Sequence, residues 1–297
     1  MSRAEGRAES RAGWGFVTPA LLLVGVFFAV PVVSAFLLSF TDFDIYSIGD
    51  VASTRFIGLK NYRDLAEMPL FWTALRNTIY FVVVGGPLSA AASLAAALMV
   101  NSRLTRFKPF FRSALFAPWV TTLVAVALVW RYIYHPQYGI LNALLGHLGI
   151  GPIDWLGNPH WAMPSIILLS VWKNFGYNML VFLAGLQSIP EELYEAAALD
   201  GAGVWHRFRH ITLPILGPTF VFVGVVTMIA SFQIFSEPYV MTQGGPLKST
   251  TTLVLLMYEQ GFRWWRLGLS ASIAMVLFLL TLGGTLMQLR LQRRGVQ

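Results

Sequence analysis

Six apolar intervals, Phe16–Phe40, Thr78–Val100, Ser113–Trp130, Ala162–Leu186, Ile215–Ser236 and Leu267–Leu289, are interrupted by a single charge, Lys173. The hydrocarbon core of a bilayer is ~30 Å thick and a helix rises ~1.5 Å per residue, so about 20 apolar residues cross it. Lipid offers no hydrogen bonds, which obliges each crossing segment to satisfy its backbone internally. The chain is therefore expected to be all-α, a polytopic membrane protein with six transmembrane helices. Only 12% of its residues are charged, against ~25% in an average soluble domain.

Tyr132–Ile153 also lacks charge but carries Pro136, Gly139, Asn142, His147 and Pro152. So many breakers and polar groups are costly in hydrocarbon, and the segment reads as a short interfacial helix in a loop. Six spans leave both termini on one side. Twelve Lys and Arg residues, Arg103 and Arg207 among them, fall in the pieces on that side, against eight in the longer pieces opposite. Cationic loops stay cytoplasmic, so both termini are expected inside. The net charge of +7 then reflects contact with membrane lipid, and nucleic acid is not an expected partner. The first apolar run is too long for a cleaved signal, whose core is ~7–15 residues. The expected organisation is a tail at 1–13, a membrane domain at 14–290 and a tail at 291–297. Pro31, Pro87, Pro118 and Pro218 lie within the spans; they are either ordinary membrane-helix tolerance or kinks that let a bundle rock.

One polar island stands between the fourth and fifth spans. Ser188 and Glu191 have capping-box spacing with Pro190 in the first turn, predicting a helix from about Ile189 to Leu199. Asp200-Gly201 supplies a turn in which glycine can take positive φ. A second short helix from Gly203 would align Val204, Trp205, Phe208 and Ile211 on one apolar face. Two helices joined this way make a compact knob. Ala196, Ala197 and Ala198 leave room for another surface, and Glu195 offers it a carboxylate. A hairpin without a partner would carry the same local signals.

Other constellations are weaker. His206 and His210 have metal-ligand spacing, but Arg207 and Arg209 would repel a cation, and no metal site is assigned. Cysteine is absent and no GxSxG sequence occurs, so no catalytic residue is assigned. GGPLKST at 244–250 lacks the glycine a P-loop needs before its lysine. Lys173, Asn174, Tyr177 and Asn178 form a polar cluster inside the fourth span, with Ser231 and Gln233 in the fifth. Intramembrane polar groups are functional candidates; alternatively, Lys173 snorkels to the outer interface and the amides bond between helices. Tyr177, Asn178 and Gln233 are the candidates for lining a hydrated path. Trp14, Trp72, Trp130, Trp161, Trp264 and Trp265 lie near expected interfaces and read as an aromatic belt.

EAAALDGAGVWHRFRHITLP (195–214) resembles the EAA loop of binding-protein-dependent ABC importer permeases. FIGLKNYRDL (56–65), FWTALRNTIYF (71–81), VWKNFGYNMLVFLAGLQSIP (171–190) and VMTQGGPLKSTTTLVLLMYEQGF (240–262) extend the resemblance to most of the chain, in the maltose and glycerol-phosphate type of sugar permease. The resemblance implies the type I importer, MetI-like permease fold. It assigns Glu195, Ala196, Ala197, Asp200, Gly201 and Ala202 to a coupling loop, 188–213, that docks a separate ATPase. It implies as partners a second permease subunit, two ABC ATPase subunits and an extracytoplasmic solute-binding protein. TQGGP-x-x-ST is typical of the first of two paired permeases. This chain would then bind no cofactor, ATP being held by the partner ATPase, and would import a carbohydrate or polyol across the inner membrane. A polytopic enzyme lacks a nucleophile here, and a proton-coupled secondary transporter would want embedded acids where this chain's acids read as loop residues.

Overall fold

The computed structural model of the chain describes residues 3–49, 54–102 and 104–295, and at 3–13, 48 and 291–295 the backbone alone. The expected tails at 1–13 and 291–297, and Arg103, fall outside the residues described in full. The described chain is helical, with one isolated bridge between Thr41 and Phe56. Four helices are long and apolar enough to cross a membrane: Trp14–Leu38, Pro69–Asn101, Pro159–Gln187 and Leu267–Arg290. Two bent pairs, Lys108–Val120 with Leu123–Ile133 at 97° and Val204–Ile215 with Gly217–Phe232 at 66°, bring the number to six.

The chain divides into two compact units. The first comprises Met1–Glu67 and Met257–Val276. In it α1 (Arg3–Val24) passes through a π-helical turn, Gly25–Ala29, into α2 (Val30–Leu38), where Pro31 withholds a backbone donor and the ladder widens. α3 (Lys60–Glu67) is tied back by Asn61, whose Nδ2 donates to the carbonyls of Ser39 at 2.9 Å and Thr41 at 2.8 Å.

The second unit comprises Met68–Leu256 and Leu277–Gln297. Its axis is the pair α4 (Pro69–Asn101) and α8 (Pro159–Gln187), packed along each other, with α5 (Lys108–Val120) also against α8. The backbones of α5 and α8 approach so closely at Gly176 that a Cβ there would run into the Leu115 carbonyl and the Phe116 backbone. Two apolar clusters use different stretches of α8. One joins Ile166, Leu169 and Val171 to Phe81, Val126 and Tyr134; the other joins Met179, Phe182 and Leu186 to Val100, Leu216 and Val223. Residues 172–178 lie between the two, so the polar stretch of α8 falls where neither cluster fills the space.

The third span is not the straight helix expected from Ser113 to Trp130. It stops at Val120 and resumes at Leu123 as α6 (Leu123–Ile133), with Thr121 and Thr122 extended between them. Pro118 lacks an amide for the ladder, and the Thr121 hydroxyl donates to its carbonyl at 2.6 Å. The fifth interval also ends early. α12 (Gly217–Phe232) gives way at Gln233–Phe235 to the short α13 (Ser236–Met241), which packs on α6. The segment after α6 forms the expected short helix, α7 (Ile140–His147). Asn142 organises that loop: Nδ2 donates to the carbonyls of Pro136 (3.0 Å) and Ile153 (2.8 Å), and Oδ1 accepts from Ile153 N (3.2 Å) and Trp155 Nε1 (2.9 Å). Tyr134, buried beneath it, donates to the Ser165 carbonyl at 2.8 Å. Burial pushes its phenol above the usual range, which keeps it a donor.

Candidate functional site

α8 presents its polar residues to a cavity of about 570 Å³, closed by α4, α5, α12 and the turn before α13. That volume lies within the ~300–1,000 Å³ of small-ligand sites. The three path candidates, Tyr177, Asn178 and Gln233, all line it. Asn178 is buried and its Nδ2 donates to Thr227 Oγ1 on α12 at 3.0 Å, an amide bridging two helices. Asn174 Nδ2 donates within its own helix, to the Ser170 carbonyl at 2.9 Å and Ser170 Oγ at 3.2 Å. Gln233 caps the C-terminal end of α12 and is exposed into the cavity.

Two lining groups escape a reading of the sequence. Trp119 stacks its ring on Tyr177, centroids 5.2 Å apart, and on Phe116 at 5.3 Å. It is a mid-span aromatic brought to the cavity by the break after Val120. Glu237 sits one residue beyond the fifth apolar interval and reads as a loop acid; it is instead buried in the first turn of α13 and lines the cavity. Ser170 lines the same cavity.

Lys173 does not snorkel to an interface. It is buried, and its Nζ donates to the carbonyls of Pro118 (3.4 Å), Trp119 (3.2 Å) and Thr121 (3.0 Å). These are carbonyls freed where α5 ends, a position at which the negative end of the helix dipole also favours a cation.

The polar island forms the expected two-helix knob with differences in detail. α9 runs from Glu191 to Leu199, with Pro190 at the N-cap and no side-chain cap; the Ser188 hydroxyl turns back to the Gly185 carbonyl at 2.8 Å. The capping box is therefore not made, because Ser188 still belongs to the end of α8. The C-terminal turn matches expectation. Gly201 has φ +79, Gly201 N donates to Ala198 O at 3.1 Å and Ala202 N to Ala197 O at 2.8 Å, the paired bonds of a Schellman cap.

The second helix, α10 (Val204–Arg207), continues through a π-helical turn, Phe208–Thr212, into α11 (Leu213–Ile215). The wider turn shifts its register, and the expected single apolar face splits. Ile211 packs into the cluster around Phe182, whereas Val204 and Trp205 remain 78% and 70% exposed. The Tyr194 hydroxyl meets Thr212 Oγ1 at 2.9 Å and ties the two arms together. Glu195, Ala196, Asp200 and Gly201 are exposed, and Ala197 and Ala202 half-buried. Glu195, Glu191 and Arg207 line a second, open hollow of about 550 Å³ beneath the knob. The His206 and His210 rings stack 4.1 Å apart on the outside of α10 and the turn after it. Among the described residues no group of three or more acids or histidines could hold a metal.

The family described as "Binding-protein-dependent transport system inner membrane component" matches residues 18–295. The arabinooligosaccharides transport system permease protein AraP of Bacillus subtilis is 37% identical over 286 residues, covering 96% of this chain and 89% of that protein. The sn-glycerol-3-phosphate transport system permease protein UgpA of Pectobacterium atrosepticum is 34% identical over 296 residues, 98% of each. A chain in the crystal structure of a bacterial alginate ABC transporter, in complex with an alginate pentasaccharide-bound periplasmic protein, superposes with a TM-score of 0.82. It is 21% identical, with 99% of this chain and 98% of that chain covered, a likeness of fold.

Proposed function

Because this chain belongs to the family of binding-protein-dependent transport system inner membrane components, we propose that it forms, with a second permease subunit, the membrane path through which an ABC importer takes up a carbohydrate or polyol. An extracytoplasmic binding protein delivers the substrate. Two ATPase subunits bind on the inner side and hold the ATP, so that this chain performs no chemistry itself. Residues 14–290 are its membrane domain, with both termini and the loop 188–213 cytoplasmic. Glu195, Ala196, Ala197, Asp200, Gly201 and Ala202 form the element inserted into the ATPase, and Tyr177, Asn178 and Gln233 lie on the substrate path. Sugar cargo is supported by the names of several relatives.

The observation that carries the reading is the elbow at Leu216. The second arm of the knob runs into α12 across one fully buried residue, and α12 carries Thr227 and Ser231 into the cavity. A push on the knob is therefore delivered to a cavity wall through helix and a packed hinge. Neither a proton-driven carrier nor a membrane enzyme is needed to account for this arrangement.

Co-purification tests it. Wild-type chain should bring down a second permease and two nucleotide-binding subunits. Gly201→Ala, strained at positive φ by about 1–2 kcal/mol, and Glu195→Ala should reduce ATPase retention severalfold and lower uptake while inserting normally. Wild-type retention and uptake in both variants would overturn the assignment of the loop.

A further inference from the structure

The turn between α4 and α5 mixes positive charge with bare apolar side chains at the level where two apolar spans end. Resting on the proposed placing of the membrane domain, with this turn on the cytoplasmic side, we infer that it binds the headgroup of an anionic phospholipid through Arg106, Lys108 and Arg112, with Leu104 and Phe107 set among the acyl chains.

No Asp or Glu occurs between Glu67 and Asp154. The ion pairs among the described residues, Arg55 with Asp42, Arg63 with Glu67 and Arg263 with Glu259, leave all three cations out. The Lys108 ammonium spends one of its three donors on the Asn101 carbonyl, at 3.2 Å. Arg112 is half-buried, with its Nε shielded from water and without a hydrogen-bond partner. An N–H in that state is costly, and a phosphate oxygen reached by a small rotation of the guanidinium would satisfy it, the pairing that the arginine fork favours.

The turn carrying these cations is built rather than loose. The Thr105 hydroxyl donates to the Met99 carbonyl at 2.5 Å and Leu104 N to Ser102 Oγ at 3.2 Å. Phe107 is held at φ +56, a left-handed conformation that bulky residues rarely take. So held, the turn leaves Leu104 92% and Phe107 79% exposed, which is unfavourable in water and favourable where a span meets the acyl chains. A soluble anion would gain from the charges alone; a lipid uses the apolar side chains as well. Each basic residue beside an anionic surface is worth about fivefold in affinity, so three together give up to roughly a hundredfold.

The test titrates the delipidated full chain in detergent with phosphatidylglycerol and, separately, with phosphatidylcholine of the same acyl chains, counting bound lipid by native mass spectrometry. Phosphatidylglycerol should bind its tightest site at least about tenfold more strongly, by a margin that shrinks with added salt. Arg106→Gln, Lys108→Gln and Arg112→Gln combined should bring the two lipids within about threefold, whereas Leu104→Ser with Phe107→Ser should weaken both and keep the preference. No preference in wild type, or one unchanged in the triple variant, overturns the site and leaves the permease reading, which co-purification decides, untouched. If the triple variant does not insert, a photoreactive phosphatidylglycerol decides in wild type: it should crosslink to the 104–112 segment, and crosslinks confined to other segments overturn the site. Displacement of the lipid by millimolar inorganic phosphate would make this a soluble-anion site, and loss of the crosslink in the assembled importer would mean that a protein covers the turn. Either result overturns the inference.

Discussion

Asn142 shows what one side chain does in a loop that carries few other tethers. Its amide is used on both sides, with two donations to carbonyls and two acceptances, one of them from the Trp155 indole. Replacing it by alanine leaves several half-buried groups without this partner, each worth up to ~1–3 kcal/mol. Asn142→Ala is therefore expected to destabilise the 136–155 loop by about 2–4 kcal/mol, seen as faster proteolysis there; an unchanged cleavage rate would contradict the role. In the sequence Asn142 registers only as a reason against a span. Its four partners are backbone and indole groups up to 13 residues away, and no periodicity marks them.

At the scale of elements, the break between α5 and α6 and the lysine that caps it stand or fall together. Where α5 breaks off at Thr121, Lys173 supplies donors from α8 to the carbonyls of Pro118, Trp119 and Thr121. Lys173→Met keeps the length and removes the donors. It should lower the stability of the membrane domain by about 3 kcal/mol, read as a drop in thermal midpoint by intrinsic fluorescence, with the Trp119 environment changing first. A midpoint equal to wild type would mean that the carbonyls are satisfied otherwise. The knob makes a contrast. Its Schellman turn depends on neighbours within six residues, so Asp200-Gly201 could be read directly; the missing capping box could not, because Ser188 was already spent on the end of α8.

For the whole molecule, the decisive quantity is the side of the membrane on which the knob lies. The natural chain has no cysteine, so a single introduced thiol reports position without background. Asp200→Cys should react with an impermeant maleimide in inverted vesicles and stay unlabelled in intact cells. Labelling from outside would remove the ATPase from consideration as its partner. The distribution of Lys and Arg along the chain supports the inside position, as does the need of an ATP-driven importer to meet its nucleotide there.

The apolar intervals, the short helix after the third span and the glycine-ended knob were determined by the sequence alone, because each reflects what a local stretch can do with its own backbone in lipid or water. The bends of the third and fifth spans, the burial of Glu237 and the meeting of Trp119, Tyr177, Asn178 and Gln233 around one cavity were decided only in the tertiary structure. They depend on which distant group arrives to satisfy a freed carbonyl or fill a gap between two apolar clusters. A one-dimensional pattern of hydropathy records neither the arrival nor the gap.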